Sequence, residues 1–207
     1  NIGTLMIHLG MSGNLRIIKT AEAEKKHDHI DILFKDGTCL RYHDPRRFGA
    51  YIWTNEPINE HKLISKLGPE PLTEFFNIDD FYTKARSRSL PIKSFIMDAH
   101  MVVGVGNIYA SESLFLSNIH PKRASNKISK QRLNTLLEAI KTILNKSIKQ
   151  GGTTLKDFVN SDGKPGYFQQ TLNVYGRKSK PCPYCSKPIK QITIGQRSTF
   201  YCPNCQH

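Results

Sequence analysis

The sequence predicts an α+β protein: antiparallel strands first, helices next, and a small two-stranded hairpin at the C-terminal end. Three observations carry that prediction. Apolar and polar residues alternate through residues 1 to about 55, the pattern of half-buried strands. From Asn77 to Lys149 apolar residues recur at helical spacing between capping and stop signals, as amphipathic helices require. The last stretch holds Cys182-Pro-Tyr-Cys185 and Cys202-Pro-Asn-Cys205, with sixteen residues between the pairs.

The strands are read as Thr4 to Leu9, Asn14 to Ile18, His29 to Phe34, Thr38 to Tyr42 and Ala50 to Trp53. Lys35-Asp36-Gly37 joins the third to the fourth, and an Asp-Gly between alternating segments is a hairpin signal. Together they read as the remnant of a β-sandwich or barrel. Cys39 lies in the fourth strand and reads as a buried small apolar residue. Two connections are unusual: Gly10-Met11-Ser12-Gly13 and Asp44-Pro45-Arg46-Arg47-Phe48-Gly49. Each is forced tight by glycine or proline and carries a large apolar side chain. An apolar wedge beside a cation is what unstacking a base pair requires. Taken loop by loop, the simpler reading is that Met11 and Phe48 fold back into the core. His27-Asp28-His29 suggests either a metal pair or, more simply, a polar turn entering a strand, with one histidine facing phosphate.

Glu56 to Pro71 predicts a short helix ending at Gly68-Pro69. Asn77 then caps a helix with Asp79 and Asp80 in its first turn and Lys84, Arg86 and Arg88 at its end, charges that suit the helix dipole. Pro91 opens the next. After Gly104-Val105-Gly106, Asn107 begins a helix reaching about Ser117, and its first turn is a ready phosphate site. The longest helix, about Ser129 to Lys149, turns Leu133, Leu136, Leu137, Ile140, Ile143 or Leu144, and Ile148 inward and stops at Gly151-Gly152. Thr153 to Lys180, with Asp162-Gly163-Lys164-Pro165-Gly166, reads either as a loop that closes over a ligand or as a linker.

Two Cys-x-x-Cys knuckles at this separation bring four thiolates to one tetrahedral ion, so Cys182, Cys185, Cys202 and Cys205 are expected to hold a structural Zn2+. The segment between them alternates as a hairpin with Gly195-Gln196 at its turn, a zinc-ribbon β-hairpin that places Arg197 at the tip. Charge points to the partner. The 207 residues carry 30 lysines and arginines against 17 acidic residues, a net +13. Residues 1 to 76 hold ten of each sign, so the whole excess lies in 77 to 207. A folded segment so biased implies a polyanion, foremost nucleic acid. A membrane surface fits less well, because no long apolar run or basic amphipathic helix occurs. The chain begins with Asn1 and runs at once into a strand, so it is expected to start inside a domain.

Six stretches in one order resemble the bacterial formamidopyrimidine-DNA glycosylases: His8 to Gly13, Asp44 to Gly49, Val102 to Glu112, Gly151 to Asp157, Ser161 to Phe168, and Gln196 to Cys202 within the ribbon. The resemblance covers nearly the whole chain. It implies base-excision DNA repair: flipping and excision of oxidised purines such as 8-oxoguanine and formamidopyrimidines, then cleavage of the abasic site by β,δ-elimination through a Schiff base. The helices become a helix-two-turn-helix domain. Met11, Arg46 and Phe48 would fill the space of the flipped nucleotide, reversing the loop-by-loop reading, with Arg46 addressing the orphaned cytosine. His8, His27, Arg88, Asn107 and Arg197 would contact DNA, Arg88 standing where a lysine is expected, and Arg197 would also serve δ-elimination. Lys156, Gly163, Lys164, Gly166 and Tyr167 would belong to a loop covering the extruded base.

The family's nucleophile, an N-terminal proline amine supported by a glutamate and a strand lysine, is not found in this sequence. The expectation is that the complete protein is a glycosylase and abasic-site lyase, while these residues by themselves bind DNA. Expected domains are an incomplete sandwich at 1–68, the helical domain at 69–152, the lesion loop and connection at 153–180 and the ribbon at 181–207. The partner is double-stranded DNA bearing oxidised purines or abasic sites. A monomer in the bacterial cytoplasm, associated with the nucleoid and not with membrane, is expected. Competing readings are an endonuclease VIII-like enzyme for oxidised pyrimidines, a non-catalytic zinc-ribbon DNA-binding protein, and an RNA-binding ribbon protein.

Overall fold

The computed structural model describes residues 3–20, 22–150 and 172–207. The chain divides into two compact units, one of Asn1–Ser65 with Ser147–Gln170 and one of Lys66–Lys146 with Thr171–His207.

The N-terminal segment of the first unit is built of strands. β1 (Thr4–His8) pairs antiparallel with β5 (Ala50–Thr54), and β2 (Asn14–Lys19), β4 (Thr38–His43) and β3 (Asp28–Leu33) form a three-stranded antiparallel sheet in the order β2-β4-β3. Leu15, Ile17, Ile30, Ile32, Leu40 and Tyr42 share one face by register. The other face is ionic. Arg41, only 3% exposed, donates to both oxygens of Asp31 and to the carbonyls of Glu22 and Ala23. Asp28 accepts from Arg16 at 2.7 Å and from His43 at 2.8 Å. These partners answer the desolvation of each charge, and removing one would leave another buried and unpaired. At the Asp36-Gly37 turn the Asp36 carboxylate accepts from the Thr38 amide and hydroxyl, and Gly37 takes φ 82°.

Between β5 and the first helix the expected short helix is absent. The chain runs in single turns, closed by Glu60 N–H to Pro57 O and Thr73 N–H to Glu70 O.

The second unit is helical with a ribbon. α1 (Ile78–Arg86) is capped by Asn77, whose side chain accepts from the Asp80 amide. α2 (Ile92–Ile96), α3 (Asn107–Leu116) and α4 (Lys130–Lys149) follow. Phe76, Phe81, Phe95, Leu114, Leu136 and Ile140 are among the side chains of one core. Leu133, Leu136, Leu137, Ile140, Ile143 and Leu144 of α4 are buried as expected, but Ile148 is 66% exposed, one turn past the end of the stripe.

β6 (Lys190–Ile194) and β7 (Arg197–Tyr201) form the C-terminal hairpin. Gly195 and Gln196 both take positive φ at its turn, 54° and 60°, which matches the twist of a tight hairpin. The ribbon does not rely on its own few apolar residues. Phe115 from α3 joins Val174, Cys182, Ile189, Phe200 and Cys202 in one buried cluster. Glu112, one helical turn earlier and 1% exposed, accepts from the backbone amides of Asn173, Val174 and Tyr175 and from the Asn173 side chain at 2.8–3.0 Å. The carboxylate thus fastens the start of the ribbon segment to α3.

Candidate nucleic-acid interface

In the first unit the two unusual loops are built as one structure around Asp44. Its carboxylate, fully buried, accepts from Ser12 Oγ at 2.7 Å, Tyr42 OH at 2.9 Å, Gly49 N–H at 3.0 Å and Arg46 N–H at 3.3 Å. Ser12 belongs to one loop; Arg46 and Gly49 belong to the other. Their closeness depends on glycine. A Cβ on Gly10, which takes φ 64°, would stand 2.7 Å from the Phe48 carbonyl carbon, and one on Gly49 would overlap the Tyr42 hydroxyl.

With the loop backbones fixed this way, the large side chains point out. Met11 is 67% exposed and Phe48 61%. They do not fold back into the core. The Arg46 guanidinium lies 6.0 Å from the Phe48 ring centroid, and its Nε reaches Ser12 Oγ at 3.4 Å. Exposed His8 ends β1 and accepts from the Gly10 amide. His27 takes φ 76°, with its ring 6.0 Å from that of His43. Partial burial, and Lys26 beside it, hold its imidazole below the usual range. Asp28 is engaged by Arg16 and His43, and His29 Nε2 by the Asp44 carbonyl, so His27-Asp28-His29 is described as a turn leading into β3.

Burial alone would raise the Asp44 carboxyl, but four donors outweigh it and hold the group well below the ordinary carboxylate range. A depressed folded value means stability that is present above the unfolded value near 4 and is lost as pH falls through the folded one. Asp44→Asn is therefore expected to flatten the acid limb of the pH–stability curve. Asp44→Ala is expected to cost about 2–4 kcal/mol, because buried hydroxyls and amides lose their acceptor. Urea unfolding at pH 7, and at a series of pH values from about 4 downward, checks both.

The second unit assembles a different cluster. Lys93 on α2 is 1% exposed and donates to Asn107 Oδ1, to Thr199 Oγ1 at 2.7 Å and to Ser198 O at 3.3 Å. Asn107, the first residue of α3, donates its amide to Ser198 O at 3.0 Å and to Tyr175 OH at 3.3 Å. Its partly exposed side chain is thus held beside the first-turn backbone amides of α3, groups that a helix N-terminus leaves without intrahelical partners. A 210 Å³ cavity lies between α2 and the hairpin, lined by Lys93, Ser94, Met97, Ile194, Gly195 and Arg197. None of the partners of Lys93 is a carboxylate. Burial, reinforced by Arg197, pulls its ammonium down to about 8.

Two cations facing one cavity without a counter-charge favour an anion there. An arriving phosphate would favour protonated Lys93. Duplex affinity is expected to weaken several-fold from pH 7 to pH 9.5 in the wild type and to lose that step in Lys93→Met, as read by fluorescence anisotropy. Arg88 is not part of this cluster. It pairs with Asp98 at 3.2 Å, and Asp98 also engages His100, so a phosphate must draw Arg88 away from a carboxylate.

At the ribbon base the four cysteine sulfurs lie within 4.8 Å of one another. The Cys182–Cys205 and Cys185–Cys202 separations are 3.9 and 3.4 Å, close to the ~3.8 Å edge of a tetrahedron with zinc–sulfur bonds of about 2.3 Å. Tyr184 N–H and Cys205 N–H donate to Cys182 and Cys202 sulfurs. One structural Zn2+ fits this set. Lys156, Gly163, Lys164, Gly166 and Tyr167, expected in the lesion loop, lie outside the described residues. Lys93, Ser12, Asp44 and Glu112 gain their roles only in three dimensions; one available signal was a lysine and a glutamate on predominantly apolar helical stretches.

Comparison with known proteins agrees with this architecture. Residues 1–51 match the family model of the formamidopyrimidine-DNA glycosylase N-terminal domain, 67–159 that of the formamidopyrimidine-DNA glycosylase H2TH domain, and 179–207 that of a zinc finger found in FPG and IleRS. The formamidopyrimidine-DNA glycosylase of Hydrogenovibrio crunogenus is 55% identical over 204 residues, covering 99% of this chain and 73% of the relative. That of a Marinomonas species is 58% identical over 205 residues, covering 99% and 75%. Among solved structures, the MutM (Fpg) protein of Thermus thermophilus superposes with a TM-score of 0.88 at 33% identity, covering all of this chain and 76% of that one. Lactococcus lactis Fpg in complex with abasic-site DNA gives 0.88 at 35%, covering 98% and 74%. With its β unit, helical domain and four-cysteine ribbon in the same order, the chain belongs to the formamidopyrimidine-DNA glycosylase family.

Proposed function

We propose that Met11, Arg46 and Phe48 fill the gap left by a nucleotide flipped from duplex DNA, and that Arg197, the first turn of α3, His8, His27 and Arg88 hold the phosphates around it. The family makes the protein a base-excision repair enzyme for oxidised purines, a DNA glycosylase with abasic-site lyase activity acting on double-stranded DNA. The observation that carries the residue assignment is the joint exposure of Met11 and Phe48 on loops locked by one buried carboxylate. An apolar pair left in water at such cost, with a guanidinium beside it, is suited to replace a stacked base. Arg46 is then placed to meet the base left without its partner, and exposed Arg197 at the hairpin tip to hold the lesion phosphate and to assist δ-elimination.

No helix among the described residues is long and apolar enough to cross a membrane. The substrate we propose is the nucleoid DNA of a bacterial cytoplasm. The expected domains, 1–68, 69–152, 153–180 and 181–207, serve as the working division: wedge, helical clamp, base cover and zinc-fixed tip.

The test compares binding to a duplex containing an abasic-site analogue with binding to an undamaged duplex. Met11→Ala/Phe48→Ala is expected to lose most of that preference while undamaged-duplex affinity changes little. Retention of the full preference by the double variant would sink the wedge assignment.

A further inference from the structure

The C-terminal segment is more one-sided in charge than DNA gripping at a hairpin tip requires. From Leu172 to His207 it carries four lysines, two arginines and no acidic side chain. Arg197 sits at the tip. Arg177 is consumed internally, donating to the carbonyls of Leu172 and Pro181. That leaves Lys178, Lys180, Lys187 and Lys190, all exposed, and no salt bridge joins them to a carboxylate among the described residues.

These lysines stand on a rigid frame. Ser179 N–H donates to Ile189 O, Ile189 N–H to Lys180 O and Cys182 N–H to Lys187 O, a short ladder that ends in the first zinc knuckle. Tyr184, 64% exposed, rests its ring 4.9 Å from the buried Phe115 ring, beside the same knuckle. The frame lies at the opposite end of the hairpin from Arg197, because Lys190 pairs with Tyr201 while Ile194 pairs with Arg197. At about 3.3 Å per residue, the base begins roughly 13 Å behind the tip. With the tip on a phosphate, the base stands that far behind it along the hairpin.

We infer that the base of the zinc hairpin, at Lys178, Lys180 and Lys187, is a second DNA-binding surface that takes a separate duplex segment while the tip holds the first. This rests on the reading of Arg197 as a phosphate contact. The occupant follows from chemistry: several unpaired ammonium groups on a fixed frame suit a regular array of phosphates, whose condensed counterions they release. The function is direct transfer between DNA segments, which lets a repair enzyme search without first dissociating.

The experiment follows release of a labelled abasic-site duplex from the full chain as unlabelled duplex is added. In the wild type the release rate is expected to climb with competitor concentration. In Lys178→Gln/Lys180→Gln/Lys187→Gln that climb is expected to fall about tenfold, the scale of losing a few phosphate contacts, while zinc content and affinity for the labelled duplex in dilute solution stay unchanged. Charge reversal to Glu at the same positions is expected to abolish it. An undiminished climb in both variants overturns the inference. So does an affinity loss that appears only on longer single duplexes with transfer intact, which would place the lysines on the flank of the same helix. Loss of zinc from the Gln variant would assign the lysines to balancing the metal–thiolate charge instead. A wild-type chain that fails to bind the labelled duplex in the first titration would sink the tip reading itself.

Discussion

Glu112→Ala is expected to lower the stability of the helical unit by about 3–6 kcal/mol, because three backbone amides and one side-chain amide lose the buried carboxylate that they share as acceptor. The carboxylate takes all four bonds, at 2.8–3.0 Å, from three consecutive residues, Asn173 to Tyr175. The effect should spread beyond the site, since Val174 and Phe115 pack in the ribbon's cluster and Tyr175 touches both Asn107 and Phe200. Glu112→Gln keeps the size but turns an NH2 group toward N–H donors, and should recover about half of the loss. Denaturant unfolding at fixed zinc concentration checks this. An alanine variant within about 1 kcal/mol of the wild type would mean that water replaces the carboxylate, and the fastening role would be wrong.

Removal of zinc has the other large effect. Structural zinc in small knuckles supplies about 10 kcal/mol or more of folding free energy, and the ribbon's cluster includes two of the ligand cysteines, Cys182 and Cys202. Without the ion the hairpin should come apart, and Lys93 would lose Thr199 and Ser198 while Asn107 lost Ser198. Duplex affinity should then drop by about 2–3 kcal/mol, the scale of losing one or two hydrogen bonds to charged phosphate. The helical core around Phe76, Phe81 and Phe95 is separate from that cluster, so far-ultraviolet helix signal should persist. Chelation followed by circular dichroism and anisotropy separates the two. Unchanged duplex affinity in the zinc-free chain would contradict the coupling between metal and phosphate cluster.

What the sequence disclosed and what it withheld divide along contact range. The ribbon was legible because ligand spacing is itself the signal, and the helices because capping at Asn77 and the Leu133 to Leu144 stripe are local patterns. The strands were legible from alternation. The segment after β5 was misread: a short helix was expected there, and the chain runs in separate turns. Met11 and Phe48 misled in isolation: each loop alone suggested burial, whereas contacts between the loops, among them the Ser12–Asp44 bond across thirty-two positions, fix both backbones with those side chains exposed. Lys93 was opaque for the same reason. Its partner Thr199 lies 106 residues away, and no local pattern distinguishes a buried lysine that braces a site from one that reaches solvent.

The joint of Lys93, Asn107 and Thr199 has a kinetic consequence. Three segments distant in sequence are already immobilised against one another before any DNA arrives. The rotational freedom that an assembling site would surrender at encounter has been surrendered during folding, so little ordering entropy opposes capture. Association should then be limited by diffusion and by ionic steering, steeply slowed by salt, and the time-consuming step should be the opening of the duplex itself.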